Sequence, residues 1–322
     1  MGIKAGTTSA KYLLLFHSIY NRKGVSMKNL ALVSAIAAAL AAPSAVLAQA
    51  MPATAPASPH TFTANAGLVS DYLFRGISQT RGKPALQGGA DYSHSSGLYA
   101  GIWGSSIKWV SDAQNVSVPV EVDLYGGFKN TFAGGDWNYD LGLITYNYSG
   151  SKDVPANNSA KADTTEIYGA LGWKWLTAKY SYSTSSNFIS WYGGPAGANN
   201  GIAPNPKTNT RGSGYLELNA AYDLGDGWGI TGHIGDQKVA NYRAVGQTDA
   251  SYTDYKVGVT KDFGFGVVGL AYSTTSSKGT CNGSTGGTNA YCWGRFNSGT
   301  NTTGDFRNMA QGQTVLSFGK TF

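Results

Sequence analysis

From about residue 61 to the terminal Phe322, apolar and polar residues alternate in segments of roughly ten. In 118–129, Val118, Val120, Val122, Leu124, Gly126 and Phe128 share one face and Glu121, Asp123, Tyr125 and Lys129 the other, the two-residue period of a strand. Ile167, Gly169, Leu171, Trp173 and Trp175 oppose Glu166, Tyr168, Ala170 and Lys174 in the same way. Tyr99, Trp103, Ile107 and Trp109 oppose Ala100, Gly104, Ser106 and Lys108. Leu216, Leu218, Ala220 and Tyr222 oppose Glu217, Asn219 and Asp223; Trp228, Ile230 and Ile234 oppose Thr231 and His233. Tyr255, Val257 and Val259 oppose Asp254, Lys256 and Thr260, whereas 265–273 is apolar on both faces and leaves its register open.

The connections are alternately long and short. The long ones, 75–84, 109–117, 150–163, 186–212, 236–250 and 275–311, are rich in Gly, Ser, Asn and Thr. The short ones are Ser95-Ser96-Gly97, 133–136, a reversal at Trp175-Leu176, Gly225-Asp226-Gly227 and Phe263-Gly264. Six long and five short connections join twelve strands and bring both ends of the segment to the short-turn side. The expected fold is all-β: a transmembrane antiparallel up-and-down β-barrel of about twelve strands, long loops outside and short turns in the periplasm.

A soluble β-sandwich would alternate too. Three features favour the barrel. Aromatic residues gather near strand ends on the apolar face (Tyr72, Phe74, Trp137, Tyr139, Trp173, Trp175, Trp228), as interfacial girdles do. Charges are sparse and opposite the apolar face, not spread as on a solvated sheet. The chain also stops on an aromatic, with Thr314, Leu316, Phe318 and Phe322 on one face. Phe318 and Phe322 resemble the terminal insertion signal read by the barrel-assembly machinery, although Lys320 departs from its pattern.

Upstream of the barrel, residues 27–48 read as a cleavable signal peptide. Met27-Lys28-Asn29 is its charged start, 30–42 its Ala/Leu core, and Val46-Leu47-Ala48 its cleavage site. An anchor helix is the alternative, but the run is Ala-rich and interrupted by Pro43. Residues 1–26 read as an over-extended start and 49–60 as an N-terminal linker. The leader carries Lys4, Lys11, Arg22, Lys23 and Lys28 and no acid, so without it the formal +6 falls to about +1. That removes the support for a nucleic-acid partner. Only 13% of residues are charged and 44 are glycine, which suits a sheet with one face in lipid.

If the apolar face meets lipid, the other lines a lumen. That places Asp71, Arg75, Asp91, Lys108, Glu121, Asp123, Lys129, Asp140, Glu166, Lys174, Lys179, Glu217, Asp223, His233, Asp254 and Lys256 inside. Carboxylates outnumber the Lys and Arg of this set, so a weak cation preference is expected. The bland reading is that these groups pair across strands and fill the lumen. Twelve strands lie between filled eight-stranded barrels and sixteen-stranded porins, so any pore should be narrow. Arg75, about 13 Å along the strand from Asp71, is expected at the extracellular rim with Arg81 and Lys83. A basic cluster there would meet anionic solutes or lipopolysaccharide phosphates, or simply be solvated or paired.

Cys281 and Cys292 are the only cysteines and read as a disulfide stapling the last long loop. No metal or other cofactor is expected. A lipid hydrolase would need a histidine base beside a nucleophile. His60 falls in the linker, His94 beside a turn, and His233 on the lumen face in Thr231-Gly232-His233-Ile234-Gly235, which carries no adjacent Ser-Asn. The chain is not expected to be an enzyme.

The segment Gly67-Leu68-Val69-Ser70-Asp71-Tyr72-Leu73-Phe74-Arg75-Gly76-Ile77-Ser78-Gln79-Thr80 resembles the opening of the TorF family, proteobacterial proteins long catalogued as of unknown function. The likeness continues in 84–92, 97–105, 121–127 and the closing Phe318-Gly319-Lys320-Thr321-Phe322. The resemblance implies an outer-membrane barrel that forms a pore, with no established substrate and no catalytic residues. The expected role is a monomeric outer-membrane channel for passive diffusion of small hydrophilic solutes, embedded among lipid and lipopolysaccharide. The alternatives are a non-conducting structural barrel and a receptor or adhesin acting through its long loops.

Overall fold

A computed structural model of the chain describes residues 58–114, 116–153, 160–191, 194–196, 209–244, 248–297 and 302–322. The leader and most of the linker lie outside the described residues. Twelve strands close into one barrel: β1 (His60–Val69), β2 (Ala85–His94), β3 (Leu98–Ser106), β4 (Val120–Phe132), β5 (Trp137–Asn147) and β6 (Thr164–Trp173), then β7 (Leu176–Ser183), β8 (Gly214–Gly225), β9 (Trp228–Lys238), β10 (Tyr252–Asp262), β11 (Val267–Thr275) and β12 (Gln313–Thr321). Every strand pairs antiparallel with its sequence neighbours, and β12 closes on β1 with Asn65 opposite Thr321 and Val69 opposite Ser317. Closure leaves no open edge, so every strand's backbone groups find partners without water.

The outer face is the apolar one. Leu86, Leu124, Leu141, Leu171, Leu218, Val257, Leu270 and Leu316 are all exposed along it. An apolar surface that surrounds the whole molecule belongs in a bilayer, not in water. Aromatic belts border it. At the short-turn end Phe132, Trp137 and Trp173 touch in series (ring centroids 6.0 and 6.2 Å), with Trp175 and Tyr222 beyond. Tyr180, Tyr182, Tyr255 and Tyr272 face outward near the loop end. Such rings sit at the two headgroup levels.

Several sequence expectations change. β3 faces the other way: Tyr99 is buried in the lumen and Trp103 packs on Tyr72, while Leu98, Ala100 and Ile102 are exposed. Lipid takes Leu98 and Ile102 and tolerates the small Ala100, and the Tyr99 hydroxyl finds polar partners inside. Tyr72 and Phe74 do not belong to a girdle; the first loop carries both rings inward, onto Trp103 and Tyr146. Ile107, Trp109, Val110 and Val118 are likewise buried, because the second connection turns back as a short helix (Trp109–Gln114) before β4 begins. His60 is the first residue of β1, not part of a linker. In β11 the open register resolves with Ala271 and Ser273 inward and Leu270 and Tyr272 outward.

The interior core is therefore built by loops. Tyr72, Ile107, Trp109, Val110, Tyr125, Ile144, Tyr146 and Tyr148 form one buried cluster inside the loop half of the barrel. Ile77, Phe188, Val239, Tyr242, Tyr252, Tyr291 and Met309 form a second, joining the first, fourth, fifth and sixth loops.

Candidate functional site

The first loop reverses directly after β1. Asp71 is buried there, and its Oδ1 accepts hydrogen bonds from Ser78 Oγ (2.7 Å), Thr80 Oγ1 (2.7 Å) and the Gly82 amide (3.2 Å). Burial pushes the Asp71 carboxyl up from its ordinary range, and these three donors pull it partly back. Between Asp71 and Thr80 the chain forms a hairpin, Leu73–Phe74 against Ile77–Ser78. Its two turn residues, Arg75 (φ 49°) and Gly76 (φ 78°), both adopt the left-handed conformation that a two-residue hairpin turn needs. At Gly76 even a methyl group would meet Asp254 Cβ and Thr275 Cγ2 at 2.9 Å, so the tip lies flush against β10 and β11.

The hairpin crosses the lumen to the opposite wall. Arg75 Nη1 and Nη2 donate to Glu166 Oε1 (3.1 Å) and Oε2 (2.7 Å) on β6, and Nη1 also donates to Gln237 Oε1 (2.8 Å) on β9. The Arg75 carbonyl accepts from the Tyr252 hydroxyl at 2.9 Å. The guanidinium lies 4.2 Å from the Tyr215 ring centroid, 4.9 Å from Phe74 and 5.8 Å from Phe188. The Arg75 and Glu166 side chains are 8% and 0% exposed. Burial alone would pull the Arg75 guanidinium down, but Glu166 pushes it up further still, so it stays charged. Removing one member of a buried pair of this kind costs about 3–5 kcal/mol, because the other charge is left without a partner. Beside the hairpin remains a cavity of about 20 Å³, lined by Phe74, Ile77, Phe188, Gln237, Tyr252 and Tyr291 among others. That is room for about one water.

On the short-turn side of the hairpin the wall is polar. Tyr99 donates to Asp140 (2.6 Å) and meets Tyr168; Tyr125 donates to Asp91. Lys129 stands over Tyr99 (5.0 Å), and Lys179 over Tyr168 (4.4 Å) and 3.9 Å from Glu217. His233 bridges Asn219 (2.7 Å) and Asp254 (2.9 Å), and the Tyr215 hydroxyl donates to Asp254 at 2.8 Å. Beside the hairpin, Tyr72 donates to the buried Glu121 (2.7 Å), with buried Asp123 two residues along the same face. Lys256 faces the same interior from β10.

Two charged positions fall elsewhere, and a third, Asp223, keeps the inward period of β8 but at its short-turn end. Lys108, between the buried Ile107 and Trp109 after β3, is itself exposed. Lys174 sits in the exposed turn between β6 and β7, 3.7 Å from Asp136. Asp223 lies near the short-turn end, where its carboxylate accepts from the Gly225 amide. Arg75 is not at the rim. Arg81 is engaged by Asp112 (3.4 Å) and Asp305 (3.3 Å), which leaves Lys83 as the solvent-exposed member of that trio. Burial pushes Asp112 up, with Arg81 pulling it back. A disulfide joins Cys281 to Cys292 in the sixth loop. Phe318 and Phe322 both face outward at the short-turn end. Among the described residues no group of three or more His, Cys, Asp or Glu stands close enough to hold a metal ion.

Tyr146, Tyr215, Tyr252 and Gln237, which organise these charges, carry no charge that singles them out in the sequence. Their signal was position. Each sits on the inward period of its strand, as Tyr215 does two residues before Glu217.

A family model described as "Bacterial protein of unknown function (Gcw_chp)" matches residues 53–292. No curated protein matches the sequence. Among solved structures, the KdgM porin aligns over 81% of this chain and 99% of its own, at 6% identity and a TM-score of 0.43. The NanC porin aligns over 81% and 98% at 10% identity and 0.42. OccK5 (OpdH) of Pseudomonas aeruginosa aligns over 82% and 67% at 14% identity and 0.36.

Proposed function

We propose that this chain, which belongs to the Gcw_chp family of bacterial proteins of unknown function, is a narrow outer-membrane channel for small hydrophilic solutes, closed by its first loop. One observation carries the reading. The barrel is apolar outside and charged inside, and a hairpin of the first loop reaches into its lumen, held at its tip by Glu166 and Gln237 of the wall. The likeness of 67–80 to the TorF family supports the same role. Export would use the leader at 27–48, and insertion the outward Phe318 and Phe322 through the barrel-assembly machinery. The protein would act as a monomer among lipid and lipopolysaccharide, without catalysis.

The cation preference has a structural argument. Asp71, Asp91, Glu121, Asp123, Asp140, Glu166, Glu217 and Asp254 face the interior, against Arg75, Lys129, Lys179 and Lys256. With Lys108 and Lys174 outside, the acidic excess is larger than the sequence implied. The test is conductance of the mature protein in a planar bilayer under a salt gradient, for the native chain and a Glu166→Gln variant that weakens the hairpin's hold. Discrete steps with a cation-selective reversal potential are expected, more frequent in the variant. Folded protein that is silent in both forms overturns the channel and leaves a surface-binding or structural barrel.

A further inference from the structure

The residues around the Arg75 guanidinium form a cage that does not depend on Arg75 for its shape. Glu166 is oriented by the Tyr146 hydroxyl, which donates to its Oε2 at 3.2 Å. Gln237 donates from Nε2 to the Gly214 and Lys238 carbonyls, both at 3.1 Å, which fixes its amide with Oε1 pointing inward. Tyr215 is pinned by its hydroxyl to Asp254. Glu166, Gln237 and Tyr215 come from three barrel strands, so the cage persists when the hairpin leaves. What it then presents to the lumen is a bared carboxylate with no other cation paired to it among the described residues. A fixed carboxylate left unpaired in a low-dielectric lumen attracts a replacement cation.

The cage is selective in kind. The two carboxylate oxygens take two parallel N–H bonds, a third acceptor waits at Gln237, and an aromatic face lies 4.2 Å away. A planar fork satisfies all of these at once, whereas a point-charge ammonium or a hydrated metal ion does not. We propose that this cage is the channel's solute-binding site, that it takes small guanidinium-bearing cations, and that the first loop's own arginine occupies it in the closed state. This rests on the channel reading above. Entry of the solute and withdrawal of the hairpin are then one competition for one site.

The probe is methylguanidinium, and Arg75→Ala vacates the cage; Arg75→Gln serves as second variant should the alanine protein fail to fold. Folding is checked by the heat-dependent mobility shift of the barrel. By calorimetry in detergent the vacated protein should bind methylguanidinium at least tenfold more tightly than tetramethylammonium, and adding Glu166→Gln should abolish that difference. In bilayers the vacated channel should conduct more than the native one, and methylguanidinium should block it at concentrations where sodium does not. A folded, vacated protein that binds both cations alike, or retains selective binding without Glu166, overturns the cage. Selective binding in an electrically silent protein keeps the cage and overturns the channel.

Discussion

On the channel reading, Gly235 offers a way to disturb the closed state without touching any residue that contacts Arg75 directly by charge. It sits on β9 facing inward, opposite Glu217 on β8 and Asp254 on β10, and the Tyr215 ring lies over it. A methyl group at 235 would overlap the Tyr215 hydroxyl. The overlap is with the far end of a side chain, so the ring swings away and the barrel survives; alanine also costs a strand less backbone entropy than glycine. Tyr215 then loses its bond to Asp254 (2.8 Å) and its place beneath the guanidinium (4.2 Å). The first is worth about 1 kcal/mol and the second up to about 2 kcal/mol at a desolvated site. The first joins two wall strands in both states and cancels, so with the Glu166 fork intact Gly235→Ala should weaken closure by up to about 2 kcal/mol, roughly thirtyfold in the open-to-closed ratio. Tyr215→Phe keeps the ring and loses only the hydroxyl, so its effect should be smaller. Single-channel open probability reads both. A folded Gly235→Ala protein with native open probability, or a larger effect from Tyr215→Phe, refutes the role of that ring.

Three further outcomes are expected. Gly76→Val places a branched side chain at φ 78° against Asp254 and Thr275, so the hairpin should fail to seat, at a cost of about 1–3 kcal/mol; trypsin should then cleave after Arg75, which the native fold protects. Leu124→Arg on the outer face should destabilise the barrel by about 2–4 kcal/mol near mid-bilayer, read as a lower urea midpoint in vesicles, with no change in ion selectivity. Asp71 titrates higher when folded than unfolded, so its contribution to loop anchorage is complete in acid and declines as pH rises through the raised value. Open probability should therefore fall on acidification through this group, and Asp71→Asn should remove that component; an acid-induced opening abolished by the same variant would show the sign to be wrong.

The outer half of this protein was legible because lipid imposes a strict condition. Every second residue of each strand must be tolerable to hydrocarbon, and in 118–129 or 216–222 that condition alone separates the faces. The inner half obeys no such rule. Counting aromatic rings as apolar puts Tyr99 and Trp103 in lipid, yet a tyrosine inside a charged lumen places its hydroxyl on a carboxylate, as Tyr99 does on Asp140. Arg75 differs for another reason: a continuing strand would carry it to the rim, whereas the chain turns back at Asp71. The cue lay in Leu73-Phe74-Arg75-Gly76-Ile77-Ser78, a glycine-containing pair between apolar residues, which reads as a two-residue hairpin turn.

That correction changes how closure and selectivity relate. At the rim, Arg75 would repel cations whatever the loop did. Across the lumen it neutralises Glu166 only while the hairpin is seated. On the channel reading, withdrawal removes a positive charge from the interior and bares a carboxylate in the same movement. The open lumen is thus more acidic than the closed one. A single-residue test follows: Glu166→Gln should raise open probability, because the latch is weaker, and lower the cation selectivity of the open state, because the bared charge is gone. Were the loop merely a physical plug, the first change would occur without the second.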